Sequence, residues 1–213
     1  MSVHAFTAEQ IDAVYRAIRE RRDMRHFRPA PLEDGQLERL IHAAHMAPSV
    51  GYMQPWRFLR ITDSALRKSI QAHVEEERIA TADALGERSN NFMKLKVEGI
   101  LNCAEVLVVG LTDQRERYVF GRRTMPEMDL ASASCAIQNM WLAARAEGIG
   151  MGWVSLFDPA RLRELCGMPE GSQPIAVLCI GHVDEFYQAP MLELEGWDKR
   201  KEMSEVLYEN TWP

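Results

Sequence analysis

The first strong pattern along the chain is Ile11, Val14, Tyr15 and Ile18, spaced i, i+3, i+4, i+7 as one face of a helix requires. Ahead of it, Thr7 and Gln10 form a capping-box pair, with Phe6 and Ile11 placed as a hydrophobic staple. A second helical pattern, Leu37, Leu40, Ile41 and Ala44, starts after Pro31 and stops before Pro48. Residues 47–56, Ala-Pro-Ser-Val-Gly-Tyr-Met-Gln-Pro-Trp, are crowded with turn formers and read as a loop. Phe58 to Ile61 then reads as a short strand. From Ser64 to about Ile100 the pattern is helical and highly charged, and the polar stretch Gly86 to Asn91 is the predicted break or mobile lid.

Beyond that, Glu105 to Leu111 is a continuous apolar run of strand length, predicting a buried strand. Asp129 to Glu147 is a helix with Ile137, Met140, Trp141 and Ala144 on one face, stopped by Gly148. A glycine-punctuated strand, Ile149 to Phe157, runs into Asp158-Pro159, an N-cap and N1 pair opening a short helix closed by Gly167. Pro174 to Val183 is another buried strand, and the tail from Glu185 to Pro213 mixes charges with Tyr187, Trp197, Tyr208 and Trp212. This order predicts one α+β domain over residues 1–213, a mostly antiparallel sheet wrapped by helices. The tail's large apolar side chains (Trp197, Val206, Leu207, Tyr208, Trp212) follow the last core strand, so they are expected to pack over another subunit.

Composition narrows the function classes. The chain has 46% hydrophobic residues, enough for a core, and a net charge of −6, the wrong sign for broad nucleic-acid binding. No basic region followed by an apolar run opens the sequence, and the longest apolar run is too short for a bilayer, so a soluble cytoplasmic protein is expected. The four cysteines, Cys103, Cys135, Cys166 and Cys179, are far apart and read as buried thiols. His42 and His45 share a helix but lack an acidic or cysteine partner at ligand spacing, so no metal is expected.

Against this acidic background, Arg21-Arg22-Asp23-Met24-Arg25 is a local exception. Three guanidiniums within five residues repel unless an anion sits among them, and arginine's planar donors suit phosphate oxygens. The cluster reads either as a grip on a phosphorylated ligand that keeps one carboxylate for chemistry, or as a solvated basic turn. In Gly148-Ile149-Gly150-Met151-Gly152-Trp153-Val154-Ser155, alternating glycines strip one strand face, admitting a flat ligand or another backbone. These glycines precede the strand instead of joining a strand to a helix, which excludes a dinucleotide fingerprint.

Four stretches together, RRDMRHFRP at 21–29, AAHMAPSVGYMQPWRF at 43–58, MDLASASCAIQNMWLAARAEGIGMGWVSLF at 128–157 and AVLCIGHVDEFY at 176–187, resemble the nitroreductase-like flavoprotein family. Within it, Asp23 and the loop at 47–56 resemble a branch that consumes its flavin. That resemblance implies oxygen-dependent breakdown of reduced FMN to 5,6-dimethylbenzimidazole, the lower ligand of cobalamin, and erythrose 4-phosphate. It also implies a homodimer with flavin sites at the interface, served by a separate flavin reductase. By the same resemblance Arg21, Arg22, Asp23, Met24 and Arg25 grip the phosphate and ribityl chain, with Arg21 and Arg25 on the phosphate. Ser49 and Lys96 contact the flavin, Ser155 and Leu156 lie against the ring, and Asp23 and Ser155 are the catalytic pair. Ala131 stands where the branch has an aromatic. An NAD(P)H-dependent oxidoreductase that recycles its FMN, and a non-catalytic carrier of reduced flavin, remain open at this point.

Overall fold

The computed structural model describes residues 4–212; the first three residues of the predicted leaderless start, and Pro213 at the tip of the predicted tail, lie outside the described residues. The elements are α1 (Ala8–Glu20), α2 (Gln36–His45), β1 (Trp56–Arg60), α3 (Ser64–Ala84), α4 (Ser89–Lys94), β2 (Glu105–Leu111), α5 (Met128–Ala146), β3 (Gly150–Val154), α6 (Pro159–Leu165), β4 (Gln173–Gly181) and α7 (Met191–Leu194), with short 3-10 turns between some of them. The sheet order is β1-β2-β4-β3, every pairing antiparallel.

The sheet is covered on both faces, which is why β2 and β4 read as unbroken apolar runs. Leu107, Val109 and Leu111 of β2 and Ala176, Leu178 and Ile180 of β4 face α2 and α5, joined by Leu40, Ile137 and Met140. The alternate residues Val106, Val108, Val177 and Cys179 face the other way, onto Ile70 and Val74 of α3 and Leu162 of α6. Period-2 alternation thus splits one sheet between two cores.

Local signals placed most boundaries. The Thr7–Gln10 capping box is formed, and Asp158 caps α6 by accepting from Arg161 N. Three details differ from the sequence expectation. Phe6 and the stripe Ile11, Val14, Tyr15 and Ile18 are exposed and α1 buries no residue; amphipathic spacing says that a face is to be covered, not by which chain. The break after α3 is narrower than 86–91: Gly86 takes φ +55° and helix resumes at Ser89. β3 ends at Val154, three residues before Phe157, because its neighbour β4 pairs with it only from Gly150 to Val154.

Of the four cysteines, Cys103 and Cys179 are buried, but Cys135 is exposed on α5 and Cys166 half-buried. Trp197 packs on its own chain, tilted against Phe92 at 6.2 Å and under the Arg88 guanidinium at 3.6 Å. The later tail residues Val206, Leu207 and Trp212 are exposed. Among the described residues no helix is long and apolar enough to cross a membrane, and no cluster of ligating side chains could hold a metal ion.

Candidate active site

Residues 21–25 leave α1 in extended conformation and lie along β3, Asp23 bridging Met151 in parallel and Met24 N–H donating to Met151 O at 3.0 Å. The glycines of β3 make this possible. A Cβ on Gly152 would sit 2.2 Å from Met24 O and 2.4 Å from Arg25 Nη1; one on Gly150 would sit 2.4 Å from Val183. Of the two occupants the stripped face could admit, it holds the neighbouring backbone. Gly148 belongs to the turn after α5, at φ +74°.

The arginine cluster divides into three roles. Arg25, buried, holds Asp23 with a bidentate pair, Nη1 to Oδ1 at 2.6 Å and Nη2 to Oδ2 at 2.7 Å, and Nη2 also donates to Trp153 O at 2.8 Å. Arg22 donates to carbonyls: Tyr187 O at 2.9 Å, Gln188 O at 3.0 Å, Arg19 O at 2.9 Å and Arg21 O at 2.8 Å. That clamps the start of the tail to the end of α1. Arg21 lies over the Trp141 ring at 4.6 Å, and burial together with the repulsion of Arg22 and Arg200 lowers its pKa, against the pull of Asp23. The anion that relieves the cluster is therefore partly its own Asp23, and the charge still unbalanced is centred on Arg21. Met24 has a fully buried side chain, which leaves only its backbone near the site.

Asp23 sits where two hollows meet. One, of about 240 Å³, is walled by Phe92, Leu95, Trp153, Leu156 and Trp197 and opens on Ser155. The other, of about 180 Å³, is lined by Arg19, Arg21, Arg22 and Arg200. Met191 and Leu192 of α7 border both. The Asp23 carboxylate accepts from Trp153 N–H at 2.9 Å and keeps 44% of its side chain open between them. Burial pushes its pKa above the ordinary carboxylate value, outweighing the Arg25 charge and the hydrogen bonds from Trp153 and Arg25. A carboxylate held in place and shifted upward holds a proton more readily than an ordinary one, as a general base requires.

The structure thus brings Arg21, Asp23, Arg25, Ser155 and Leu156 together and sets two other predicted residues apart. Lys96 lines neither Asp23 hollow; with Leu95 and Val97, which also wall the apolar hollow, it lines a charged hollow beside Glu75, Arg78 and Glu98. Ser49 accepts from Gln54 N–H at 3.0 Å within its own loop, whose residues Tyr52, Met53, Gln54 and Trp56 line a wider hollow of about 500 Å³ with His45 and Arg57. Arg19, Arg200, Phe92 and Trp197 were not singled out as site residues. Arg200 stands in Asp198-Lys199-Arg200-Lys201, a basic run whose signal was available, whereas the walls come from distant segments that only the fold assembles.

Residues 18–182 match the family model described as Nitroreductase family. The chain belongs to the nitroreductase family. Among family members, a 5,6-dimethylbenzimidazole synthase of Rhodospirillum rubrum is 39% identical over 184 residues, covering 85% of this chain and 87% of that protein. A Rhodobacter capsulatus protein of the same name is 37% identical over 190 residues, covering 88% and 92%. In structure, an iodotyrosine deiodinase solved with FMN and 3-iodo-L-tyrosine superposes with a TM-score of 0.74 at 19% identity, covering 93% of this chain and 100% of that one. The NADPH:FMN oxidoreductase of Vibrio harveyi, solved with NAD+, gives 0.70 at 21%, covering 94% and 78%. These two structural likenesses establish the nitroreductase fold.

Proposed function

We propose that this protein is a 5,6-dimethylbenzimidazole synthase that consumes reduced FMN and molecular oxygen, with erythrose 4-phosphate as the second product. The observation that carries the reading is Asp23 at the junction of an apolar hollow and an arginine-lined one. It is joined by the 34–39% identity to three proteins of that name. The residues fit the flavin: Arg21 carries unneutralised charge for a phosphate, and Phe92, Leu95 and Trp197 offer a dry wall to a ring.

In this reading, reduced FMN supplies both the electrons for oxygen and the carbon skeleton of the product. Arg21, with Arg19 and Arg200, binds the phosphate; charge-assisted hydrogen bonds of about 1.5–3 kcal/mol each orient a long flexible ligand. Arg25 departs from its expected phosphate role: with its terminal nitrogens on Asp23 and Trp153 O, it fixes the carboxylate instead. Asp23 accepts protons at its free face. The Ser155 hydroxyl, which has no hydrogen-bond partner among the described residues, donates or accepts one bond beside it. The aromatic wall excludes water, which strengthens each of these electrostatic contacts.

The active form proposed is a cytoplasmic homodimer of single-domain subunits, fed by a separate flavin reductase. Supporting the dimer are the uncovered stripe of α1, the exposed Tyr52 and Phe120, and the exposed tail. Ser49 then reaches the flavin from the partner's side of the interface, since it does not line the Asp23 hollows of its own chain.

Photochemically reduced FMN, air and purified protein, with products separated by chromatography, test the reading. Benzimidazole should form without NAD(P)H. Quantitative return of oxidised FMN with no benzimidazole overturns the proposal in favour of a recycling oxidoreductase or carrier.

A further inference from the structure

A buried pair of thiols lies on the sheet face where Arg25 rests, and nothing in the proposed reaction uses it. Cys179 of β4 is directly opposite Gly152 of β3, over which the Arg25 guanidinium sits. Directly opposed residues of an antiparallel pair project to the same face, so the Cys179 thiol and Arg25 share one side of the sheet. Cys103 closes the turn 99–103 at the surface, its N–H donating to Gly99 O at 3.0 Å, with Leu101 and Asn102 exposed beside it. Its Cα is 3.5 Å from where a Cβ on Gly181 would stand, and Gly181 is two residues from Cys179 on the same face. The two thiols belong to one buried cluster, where Cys103 Sγ donates to Glu105 O at 3.2 Å.

A third group makes the pair unequal. Arg67 of α3 donates to the carbonyls of Ile100 and Cys103 and brings Nη2 to 3.0 Å from Cys103 Sγ. The neighbouring Cys179 thiol, then the Arg67 charge, hold the Cys103 thiol below the ordinary value against its burial, while Cys179 is pushed well up. By contrast the Cys166 thiol, with no such partner, is pushed by burial to about 11. A guanidinium on one thiol and a second thiol in the same buried cluster is the arrangement of an attacking and a resolving cysteine.

We propose that Cys103 and Cys179 form a redox-active dithiol that hydrogen peroxide converts into an intramolecular disulfide, Cys103 attacking and Cys179 resolving. The Cys103 thiolate attacks one oxygen of peroxide, the O–O bond breaks, and hydroxide leaves to become water as it takes up a proton. The sulfenic acid so formed is displaced by the Cys179 sulfur, which gives up its proton, and a second water departs. Two thiols are oxidised and one peroxide is reduced to two waters. Reoxidation of free reduced flavin by oxygen is one source of peroxide, but the dithiol chemistry does not depend on the proposed synthase activity. The bridge ties the 99–103 turn to β4 beside the arginine that holds Asp23.

The test uses the full chain with Cys135→Ser and Cys166→Ser, reduced, desalted and treated with hydrogen peroxide. Expected are loss of two hydrogens in intact mass, restored by dithiothreitol, and a non-reducing tryptic pair joining the peptide of Cys103 to that of Cys179. Adding Cys179→Ser should let Cys103 proceed to the sulfinic acid. If these replacements weaken the fold, cyanogen bromide cleavage at Met168 separates Cys166 from Cys179 in the natural chain and gives the same assignment. Unreacted Cys103 and Cys179 at a peroxide level that oxidises the exposed Cys135 of the natural chain overturns the proposal. So does sulfinic acid on Cys103 with Cys179 left free while both are present.

Discussion

Asp23 is bound by three donors and still keeps its proton to higher pH than an ordinary carboxyl, because burial of its bound side disfavours its charge more than Arg25 and Trp153 favour it. A base is useful only when ionised, so the rate of product formation should fall on acidification through an apparent pKa above the ordinary carboxylate value of 3.8. Asp23→Asn keeps the volume and removes the proton acceptor; about 10²–10⁴ in rate should go, with flavin affinity changed far less. A pH–rate profile and a binding titration on both proteins check this, and a wild-type yield from the variant removes the carboxylate from the chemistry. Arg21 and Arg25 should separate in the same manner. Arg21→Ala should weaken FMN by about 10–150-fold, the equivalent of one charge-assisted bond, and leave riboflavin nearly unaffected. Arg25→Ala should lower turnover more than it discriminates between the two ligands, because it frees Asp23. Equal losses of FMN and riboflavin on Arg21→Ala mean that the guanidinium is structural.

At the scale of elements, β3 and the strand-like segment 21–25 form one unit whose closeness depends on glycine. Gly152→Ala places a methyl 2.2 Å from a carbonyl oxygen that the bridge at Met151 holds in place, so the segment must lift. Overpacking of this kind costs about 1–3 kcal/mol, readable as a lower urea midpoint, and the displacement should also release the Asp23 carboxylate and slow turnover. An unchanged midpoint with full activity shows the segment to be compliant. This unit also marks the limit of what the residues alone disclose. The boundaries of β2 at Glu105 and Leu111 and the cap at Asp158 follow from local chemistry and were legible. The arginine cluster was legible as a site, but not the division of labour within it, because which guanidinium meets Asp23 depends on how the segment lies on β3. Lys96 is expected only from resemblance, and it lies in a charged hollow that shares its Leu95 and Val97 wall with the apolar one. Trp197 read as a tail residue for a partner; Arg88 and Phe92, about a hundred residues earlier, capture it at home.

For the whole molecule, apolar surface is concentrated where one chain cannot cover it: the α1 stripe, Tyr52 and Phe120, and the tail with Trp212 at 85% exposure. Removing residues 203–213, which leaves Trp197 and Arg200 in place, should dissociate a homodimer while sparing the wall of the apolar hollow. Light scattering at micromolar concentration, with flavin titration alongside, tests it; a natural chain that is monomeric and active shows that the tail is not an exchange element. Trp197 also sets the reach of that tail. Docked between Arg88 and Phe92, it fixes the origin of residues 198–212, which fully extended reach about 50 Å. A chain this long has a radius of gyration of about 17 Å, so the tail's end can sweep the far side of a neighbour without its root moving. In the proposed homodimer each tail is a tethered segment whose local concentration would be on the order of millimolar, so dilution should leave the tails engaged. Two marked populations mixed after assembly should trade subunits slowly, at a rate set by the simultaneous release of both tails and not by how tightly either one binds.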